Sequence, residues 1–426
     1  MLFTPYLIVC IAVFILPALS FASELNVSIE ERSFTQPVNP LNPNGQQFQQ
    51  QFFVLTPIGV KNDATVYFIL GNETDSTKDK LTKIFKAYGS PTDMIFILSE
   101  HRGYGQSLTN TPQTVPKYVR VEHALSDYYR LITALQKTYT GKWIAGGYSY
   151  SGALVINFAH KYPEVVNAIL ASSAPINWPF IIPQYSNKVR ENLGDEFVER
   201  IHQHIGNIDI ITPYDEGWQN RERYVVLTSL LTQRAEMQDI KTYISILSYL
   251  PTSMFSWFIE KLLPLEADDW IKKRIPKKLL VEQAKEGRFN WYTWKYQQCT
   301  QLGTFFSDKP FNYRFEEHVA DCKATFGTMP EYLTAKPWNI ASMISEIVIP
   351  QVVVSGGKDP WIELGVNPEH TYRNIDFFYV SEGFHCPDLD DVQLGRTILA
   401  RLRSHINLKN QQYQFISGQF LSLIGL

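Results

Sequence analysis

Residues 146–154 read Gly-Gly-Tyr-Ser-Tyr-Ser-Gly-Ala-Leu and directly follow the apolar run Trp143–Ala145. A short strand that ends at glycine, presents one serine and continues as a helix of small residues is typical of a nucleophile elbow. Small neighbours are needed because the serine sits in a strained turn with the helix packed close to it. The pattern predicts Ser149 as a nucleophile at a helix N-terminus, where backbone N–H groups can bind an oxyanion. The match is relaxed, since Ser151 stands where the strict pattern has glycine, and an ordinary strand-to-helix turn is the alternative.

The composition is that of an ordinary globular protein. The chain has 426 residues, of which 45% are hydrophobic and 19% charged, with a formal net charge of −3. This is enough apolar material for a large core. Because the chain has neither a basic excess nor a run of Lys and Arg, we expect no nucleic-acid partner. An aromatic content of 14% suits a deep apolar pocket, although core packing uses most aromatic side chains in any protein.

The first 22 residues predict a secretory signal peptide. They form an apolar stretch that ends in Ser20-Phe21-Ala22, which resembles a small-x-small cleavage site. An uncleaved membrane anchor is the alternative, because no Lys or Arg precedes the apolar stretch. No later apolar run is long enough to cross a bilayer, so we expect no stable membrane insertion after cleavage. The expected location is secreted, periplasmic or within a lysosome-like compartment.

Three cysteines remain once residues 1–22 are removed: Cys299, Cys322 and Cys386. They allow at most one intramolecular disulfide and leave one thiol free. Cys299 and Cys322 lie in one helical region, and export of the protein would permit a disulfide between them. The pairing among the three cysteines stays open. No Cys-x-x-Cys or His-rich spacing indicates a metal site, and no cofactor is expected.

Short apolar runs alternate with helical segments along most of the chain. Helical segments are predicted at 76–88, 120–139 and 151–161. The alternation predicts an α/β protein with a doubly wound, mostly parallel sheet, and the nucleophile elbow makes the expected type an α/β-hydrolase. Residues 23–50 are polar and rich in turn formers, and they predict an extended N-terminal arm. The runs that predict buried parallel strands are 65–70, 94–98, 143–145, 168–171, 349–355 and 375–380.

Residues 179–345 interrupt this alternation. The stretch is rich in Trp and Tyr, and it shows helical periodicity at 188–205, 218–248, 253–263 and 268–286. An insertion between two strands predicts a helical cap domain over the carboxyl ends of the strands, where open α/β sheets bind their ligands. The predicted organisation is a signal peptide at 1–22, a first hydrolase part at 23–178, the cap at 179–345 and a second hydrolase part at 346–426.

Polar residues behind the later strands complete a catalytic triad. A serine nucleophile needs a base to remove its proton and an acid to orient that base. In α/β-hydrolases these residues follow the chain order Ser, then Asp or Glu, then His. Asp359 follows the strand predicted to end at residue 355, and His385 follows the strand predicted to end at residue 380. The positions predict Ser149 as the nucleophile, His385 as the base and Asp359 as its orienting acid.

Two backbone segments are candidates for the oxyanion hole. The N–H of Tyr150 directly follows the nucleophile, and a second donor normally comes from the loop after an earlier strand. That loop begins with Gly71, Asn72 and Glu73, where Gly71 would let the backbone approach the substrate. An ordinary strand-to-helix turn with Asn72 as its cap is the alternative.

Further blocks of sequence follow one another in a recognisable order between residues 65 and 390. They are Gly71–Glu73, Glu100–Leu108, Glu122–Tyr128, Ser149–Leu154, Lys161–Pro163, Ala171–Pro175, Trp294–Thr300, Asp359–Trp361 and Gly383–Asp388. Together they resemble the serine peptidase family of lysosomal Pro-X carboxypeptidase, dipeptidyl peptidase II and thymus-specific serine protease. The resemblance implies an α/β-hydrolase fold, and it gives Ser149, Asp359 and His385 the roles of nucleophile, orienting acid and base.

Three positions depart from the family pattern. Tyr148 precedes the nucleophile where glycine is usual, and Thr74 follows Gly-Asn-Glu where the family has glycine. The segment 38–40 reads Val-Asn-Pro in place of the family's Asp-His-Phe. Within the matching blocks, the segment Glu100–Arg102 has two interpretations: it shapes the pocket, or it forms a buried structural salt-bridge network.

The triad and the resemblance together predict a secreted serine exopeptidase whose partner is a short peptide substrate. Cleavage after proline, of either dipeptidyl peptidase or Pro-X carboxypeptidase type, is implied by the resemblance alone. A cap that restricts access favours chain ends over folded chains. The alternatives are a secreted carboxylic-ester hydrolase and a catalytically silent hydrolase-fold binding protein. Whether the chain forms a homodimer stays open.

Overall fold

The computed structural model describes seven stretches of the chain. They are 26–109, 116–208, 216–262, 290–306, 315–326, 338–366 and 374–423. The predicted signal peptide at 1–22 and the predicted helix at 268–286 lie outside these stretches. Within the described part, no helix combines the length and the apolar character needed to cross a membrane.

The strands of the described chain form one eight-stranded sheet in the order β1-β2-β4-β3-β5-β6-β7-β8. They are β1 Val27–Pro37, β2 Gln47–Pro57, β3 Thr65–Ile69, β4 Met94–Ser99, β5 Trp143–Tyr148, β6 Ala168–Ser172, β7 Gln351–Gly356 and β8 Ile375–Val380. β2 runs antiparallel to both of its neighbours, and all other neighbouring strands are parallel. The prediction of a mostly parallel sheet is confirmed, and each of the six predicted strands corresponds to one of β3 to β8.

Two strands that the sequence does not predict, β1 and β2, form a long antiparallel hairpin at one edge of the sheet. The prediction of an extended arm over 23–50 misses this pairing. Phe48 and Gln50 point to the buried side of β2, while the residues between and before them are exposed. Gln50 accepts a hydrogen bond from Nε2 of Gln36 at 2.9 Å and donates one to the carbonyl of Glu100 at 2.8 Å. Polar residues at buried positions therefore hide the period-two pattern of the strand.

Helices cover both faces of the sheet. α1 and α12 pack on the face that receives Tyr67, and α2 and α3 pack on the face that receives Phe68. Successive strand residues point to opposite faces, so these two neighbours on β3 enter different cores and the sheet is doubly wound. The helices of the described chain are α1 Lys78–Ala87, α2 Val121–Leu135, α3 Tyr150–Lys161, α4 Pro183–Leu193, α5 Asp195–Gly206, α6 Glu216–Gln233, α7 Gln238–Leu247, α8 Thr252–Leu262, α9 Asn290–Gln297, α10 Phe315–Phe326, α11 Met343–Glu346 and α12 Val392–Leu423.

The helices from α4 to α11 lie between β6 and β7 in the chain, within the segment predicted to form the cap. Those from α4 to α8 share a hydrophobic core of their own, which includes Tyr185, Phe197 and Phe255. The fold is therefore that of an α/β-hydrolase with a helical insertion. The exact boundaries of the cap, 179 and 345, stay a prediction.

Two of the helices that the periodicity predicts in the cap are each divided in the structure. The helix expected at 188–205 is split into α4 and α5 by Gly194, whose φ of 87° cannot continue a helix and is favourable for glycine. The helix expected at 218–248 is interrupted between α6 and α7 by a 3₁₀ turn at Ala235–Met237. Both interruptions preserve the apolar spacing, so the periodicity alone does not reveal them.

A disulfide joins Cys299 and Cys322, whose Cα atoms lie 5.7 Å apart. It connects the turn that follows α9 to α10, both within the insertion. Cys386 is a buried free thiol in the loop that follows β8. Of the three pairings open to the sequence, the structure contains this one.

A buried ion pair fastens the N-terminal hairpin to the body of the sheet. Nη2 of Arg102 lies 2.6 Å from Oδ1 of Asp127 on α2, and both side chains are fully buried. The guanidinium also donates to the backbone carbonyls of Pro37, Val38 and Tyr118. With its Nε bonded to the same carboxylate, all five donors are used. Arg102 thus has the structural role that the sequence offered as one of two interpretations.

We predict that Asp127→Asn lowers the free energy of unfolding by about 3–5 kcal/mol, because it leaves a buried guanidinium charge without its partner. Equilibrium urea unfolding followed by tryptophan fluorescence measures this loss. Asp195→Asn is the control, because Asp195 pairs with Arg190 at the surface, where ion pairs contribute about 0–1 kcal/mol. Equal effects of the two substitutions would contradict the structural role assigned to the buried ion pair of Arg102 and Asp127.

Candidate active site

Ser149 occupies the strained turn expected of a nucleophile elbow. Its backbone has φ 57° and ψ −125°, a conformation that non-glycine residues rarely adopt. It lies between the end of β5 and the first residue of α3. Ser149 is partly exposed, whereas the strand before it and the helical residues from Tyr150 to Ile156 are buried. The turn therefore presents one hydroxyl at the carboxyl edge of the sheet.

Small residues and one hydroxyl hold this turn closed. A Cβ atom at Gly147 would lie 2.0 Å from the carbonyl oxygen of Ser151, so only glycine fits there. Ser151 replaces the second glycine of the strict pattern. Its Oγ accepts a hydrogen bond from the N–H of Tyr148 at 2.9 Å and donates one to the carbonyl of the same residue at 3.0 Å. The relaxed motif thus forms the same turn with a side chain that binds across it.

The candidate acid and base are in direct contact. Asp359 lies in the loop after β7, is buried, and accepts a hydrogen bond from the N–H of Trp361 on Oδ1 at 3.0 Å. Its other oxygen, Oδ2, lies 2.8 Å from Nδ1 of His385, in the loop after β8. Because a carboxylate only accepts, Nδ1 carries the proton, and Nε2 of the neutral ring is left as an acceptor.

The surroundings of His385 favour its protonated form. Burial lowers the pKa of His385, but the Asp359 carboxylate opposes this and, with the neighbouring Cys386, raises the pKa well above the usual value of 6.5. A carboxylate that stabilises the imidazolium is what a general base needs once it has taken a proton.

The end of β6 connects Ser149 to the loop that carries His385. The N–H of Ser149 donates to the carbonyl of Ser172 at 2.9 Å. The adjacent Ser173 accepts a hydrogen bond on its Oγ from the N–H of Cys386 at 2.8 Å. Since β5, β6, β7 and β8 are parallel neighbours, the loops that carry Ser149, Asp359 and His385 all leave the same edge of the sheet.

The two predicted oxyanion segments differ in how far their donors are already used. Tyr150 is the first residue of α3, so its N–H has no acceptor within the helix. In contrast, the N–H of Gly71 donates to Oγ of Ser99 at 3.3 Å. A Cβ at Gly71 would lie 2.4 Å from the backbone nitrogen of His101, so the glycine is required for packing against the loop after β4. Packing thus requires the glycine, and the assignment of Gly71, Asn72 and Glu73 to the oxyanion hole stays a prediction.

The side chain of Glu73 is a feature that sequence reasoning missed. Its Oε2 is buried and has no hydrogen-bond partner among the described residues. Burial raises the pKa of Glu73, and the nearby charges of Lys80 and His385 act in the opposite direction. A carboxyl group with one unpaired, buried oxygen thus lies near enough to the candidate base for the two charges to interact.

Tyr150 also connects the nucleophile to the cap, which the sequence does not reveal. Its hydroxyl accepts a hydrogen bond from Nε2 of Gln297 on α9 at 3.0 Å and lies 3.4 Å from Nε2 of His101. Nδ1 of His101 lies 2.7 Å from the carbonyl of Arg102 and is therefore the donor, which makes Nε2 the acceptor. Burial lowers the pKa of His101 to about 3, so the ring is neutral. Gln297 lies within the block Trp294–Thr300 that resembles the family. This resemblance is the sequence feature that could have pointed to Gln297.

The cap contacts both loops of the acid–base pair. The N–H of His385 donates to the carbonyl of Gln233, at the end of α6, at 3.1 Å. Nδ2 of Asn192 on α4 donates to the carbonyl of Lys358, the residue before Asp359, at 2.6 Å. The cap is therefore bonded to the backbone on either side of the candidate site.

No cluster of three or more His, Cys, Asp or Glu side chains suited to a metal ion occurs among the described residues.

The sheet order, the crossover helices and the insertion before β7 define an α/β-hydrolase. The sequence matches the serine carboxypeptidase S28 family over residues 36–254, just over half of the chain. The chain belongs to this family, and it is a serine-type peptidase by descent.

Known proteins that resemble the chain include peptidases of this family. It is 26% identical to human lysosomal Pro-X carboxypeptidase over 401 residues, which cover 80% of this chain and 79% of the relative. It is 28% identical to mouse thymus-specific serine protease over 166 residues, which cover 37% of this chain and 33% of the relative. Among solved structures, proline iminopeptidase of Mycobacterium smegmatis is 14% identical with a TM-score of 0.45, covering 89% of this chain and 100% of that one.

We predict a change in how the rate of labelling of Ser149 by a fluorophosphonate depends on pH. In Asp359→Asn, the acid limb of this pH–rate profile moves to lower pH. The substitution removes the charge that raises the pKa of His385, and only the neutral imidazole accepts the serine proton. The rate at the optimum falls by about 10⁴-fold, because the tautomer is no longer fixed.

Asp376→Asn is the matched control for this experiment. Asp376 pairs with His405, away from the candidate site, so its loss leaves the labelling profile unchanged. An acid limb that stays in place in Asp359→Asn, or that moves equally in the control, contradicts the assignment of His385 as the base.

Proposed function

We propose that the chain is an exported serine exopeptidase that hydrolyses short peptides after proline, with Ser149, His385 and Asp359 as its catalytic triad. The observation that carries the proposal is the 2.8 Å contact between Nδ1 of His385 and Oδ2 of Asp359, at the same edge of the sheet as an elbow serine held in the strained conformation. Membership of a serine peptidase family supports the same reaction class.

In this mechanism Nε2 of His385 removes the proton from Oγ of Ser149 as the oxygen attacks the carbonyl carbon. The imidazolium then donates that proton to the leaving amine, and the C–N bond breaks to give an acyl-enzyme. Water repeats the sequence: His385 takes its proton, the hydroxide attacks the ester, and Oγ leaves with the proton returned. Asp359 stays ionised throughout and stabilises the imidazolium.

The oxyanion of each tetrahedral intermediate needs backbone donors. The N–H of Tyr150 is the first, and an N–H from Asn72 or Glu73 supplies the second, since that of Gly71 is already bonded to Ser99. One donor of this kind is typically worth about 10²–10³ in rate.

Exopeptidase rather than endopeptidase action follows from the position of the cap. Its helices are bonded to the loops of both His385 and Asp359, so they stand at the approach to the nucleophile. A folded chain cannot pass such a cap, whereas the end of a short peptide can.

Proline at the cleavage point is supported by the relatives that align with most of the chain, whose names describe Pro-X carboxypeptidases. They favour removal of the carboxyl-terminal residue over release of an amino-terminal dipeptide. This part of the proposal comes from the relatives and not from the geometry of the site.

Export rests on the apolar segment at 1–22 and on the Cys299–Cys322 disulfide, which forms in oxidising compartments. The relatives named lysosomal support a lysosome-like or secreted location.

We predict that the full chain, expressed in a secreting host, is recovered with Ser23 as its first residue. Amino-terminal sequencing checks this, and a product that retains residues 1–22 in the membrane contradicts it.

We predict that a fluorophosphonate probe labels the wild-type protein and fails to label Ser149→Ala. Peptide mapping of the adduct gives the modified residue. Ser151→Ala is the control: it removes a neighbouring hydroxyl but leaves the nucleophile, so labelling persists at a reduced rate. Labelling that survives in Ser149→Ala would falsify the assignment of the nucleophile.

A substrate panel with matched ends then tests the specificity. An amino-blocked Pro-X peptide with a free carboxylate should be cleaved after proline, and the same peptide with an amidated end should be cleaved poorly. Dipeptidyl-Pro arylamides with a free amine test the other kind of exopeptidase. Turnover of esters without turnover of any amide would identify a carboxylic-ester hydrolase and exclude the peptidase.

A further inference from the structure

A chain of buried hydroxyl groups runs beneath the nucleophile elbow. The hydroxyl oxygens of Tyr67 and Tyr148 lie 2.9 Å apart, and those of Tyr148 and Tyr88 lie 3.1 Å apart. The hydroxyl of Tyr88 then lies 2.5 Å from Oδ2 of Asp388. All four side chains are buried. This row of hydrogen-bonded groups connects β3, β5, the end of α1 and the loop after β8.

The protons of this network all point in one direction. An ionised carboxylate only accepts, so Tyr88 donates to Asp388 and must accept from Tyr148. Tyr148 has then used its only proton, so Tyr67 is the donor in the remaining contact. A row of hydroxyls that ends on a carboxylate polarises each bond in turn and strengthens it.

Ser172 attaches this network to the nucleophile from a second side. Its hydroxyl donates to Oδ1 of Asp388, and its backbone carbonyl accepts the N–H of Ser149 at 2.9 Å. One residue at the end of β6 therefore binds both the buried carboxylate and the nucleophile. Asp388 receives hydroxyl donors on both of its oxygens.

Two members of the network, Tyr148 and Asp388, lie close in sequence to residues of the proposed triad. Tyr148 immediately precedes Ser149, and Asp388 follows His385 by three residues in the turn Pro387–Leu389. Cys386, which lies between His385 and Asp388 in the chain, has a left-handed backbone with φ 58°, a conformation that a β-carbon makes unfavourable. A strained residue persists only where its surroundings hold it, and this turn is held by the bonds of Asp388 together with the bond from the N–H of Cys386 to Oγ of Ser173.

Burial of this carboxylate is costly, although the hydroxyls of Ser172 and Tyr88 and a backbone N–H donate to it. Burial raises the pKa of Asp388, and the hydroxyls of Ser172 and Tyr88 lower it again. An apolar residue at this position would remove that cost but leave the buried hydroxyls of Ser172 and Tyr88 without their acceptor. The carboxylate and the hydroxyls therefore depend on one another.

We propose that Tyr148, Tyr88 and Asp388 form a hydroxyl–carboxylate strut that holds the loop of His385 in register with the Ser149 elbow, and that Tyr148 and Asp388 are positioning residues for the reaction. The proposal rests on the catalytic triad proposed above. The strut contacts no substrate, so it affects the chemical step and leaves substrate binding unchanged. A misplacement of about 1 Å at reacting groups costs as much as 10²-fold in rate.

Two conservative substitutions test the strut. Tyr148→Phe removes the hydroxyl that bonds to Tyr67 and Tyr88 but keeps the ring. Asp388→Asn keeps the shape and removes the charge, and it forces a hydroxyl to reverse. We expect each to lower kcat per active site by about 10-fold to 10²-fold, with KM within about twofold of wild type. Active sites are counted by titration with a fluorophosphonate, so that unfolded protein does not enter kcat.

Tyr224→Phe is the matched control. Tyr224 is equally buried, and its hydroxyl bonds to Oγ of Ser256 within the cap at 3.0 Å. Its kcat and KM should equal those of wild type. The double variant Tyr148→Phe/Asp388→Asn should lose no more than the worse single variant, because both substitutions break one strut.

Three outcomes overturn the strut. The first is a kcat per titrated site that is unchanged in Tyr148→Phe, even where fewer sites titrate, because that result shows a purely structural role. The second is an increase in KM equal to the loss in kcat/KM. The third is a double variant whose losses multiply. If Asp388→Asn does not fold, Tyr148→Phe alone gives the first two results.

Failure of the strut and failure of the proposed function can be told apart. If no peptide is cleaved but Ser149 is labelled, the peptidase proposal fails, and the rate of labelling at saturating probe replaces kcat in the same comparison. If the wild type cleaves peptides and the variants match it, only the strut fails. Absence of labelling at Ser149 in the wild type overturns both.

Discussion

One hydrogen bond holds the candidate site together: Nδ1 of His385 donates to Oδ2 of Asp359 across 2.8 Å. It joins the loops after β7 and β8, fixes the tautomer of the imidazole and leaves Nε2 free to accept a proton. The other contacts of the site support this bond. The end of β6 connects the loop of His385 to Ser149, and the cap binds the backbone of both loops.

The parts of this arrangement that the sequence predicts are those encoded locally. Apolar runs predict the parallel strands because their residues are buried on both faces, and β3 to β8 follow these runs closely. Ser149, Asp359 and His385 each stand just after a strand. Parallel strands end at the same edge of a sheet, so strand position and chain order suffice to group these three residues.

The parts that the sequence does not predict depend on distant partners. Tyr88 and Asp388 are 300 positions apart in the sequence, and the residues around either one do not predict the contact between them. Tyr148, which replaces the glycine usual in the family, does not crowd the elbow, because its ring enters the core between α1 and the sheet. The role of Gly71 also depends on a neighbouring loop: close packing against His101 requires the glycine, and the local pattern looks the same as that of an oxyanion loop.

The most direct test is a crystal structure of the protein after reaction with a peptidyl phosphonate, which mimics the tetrahedral intermediate. We predict a covalent bond from Oγ of Ser149 to phosphorus, with the phosphoryl oxygen bonded to the N–H of Tyr150 and Nε2 of His385 within hydrogen-bond distance of Oγ. An imidazole turned away from the adduct, or an adduct on another residue, would contradict the triad.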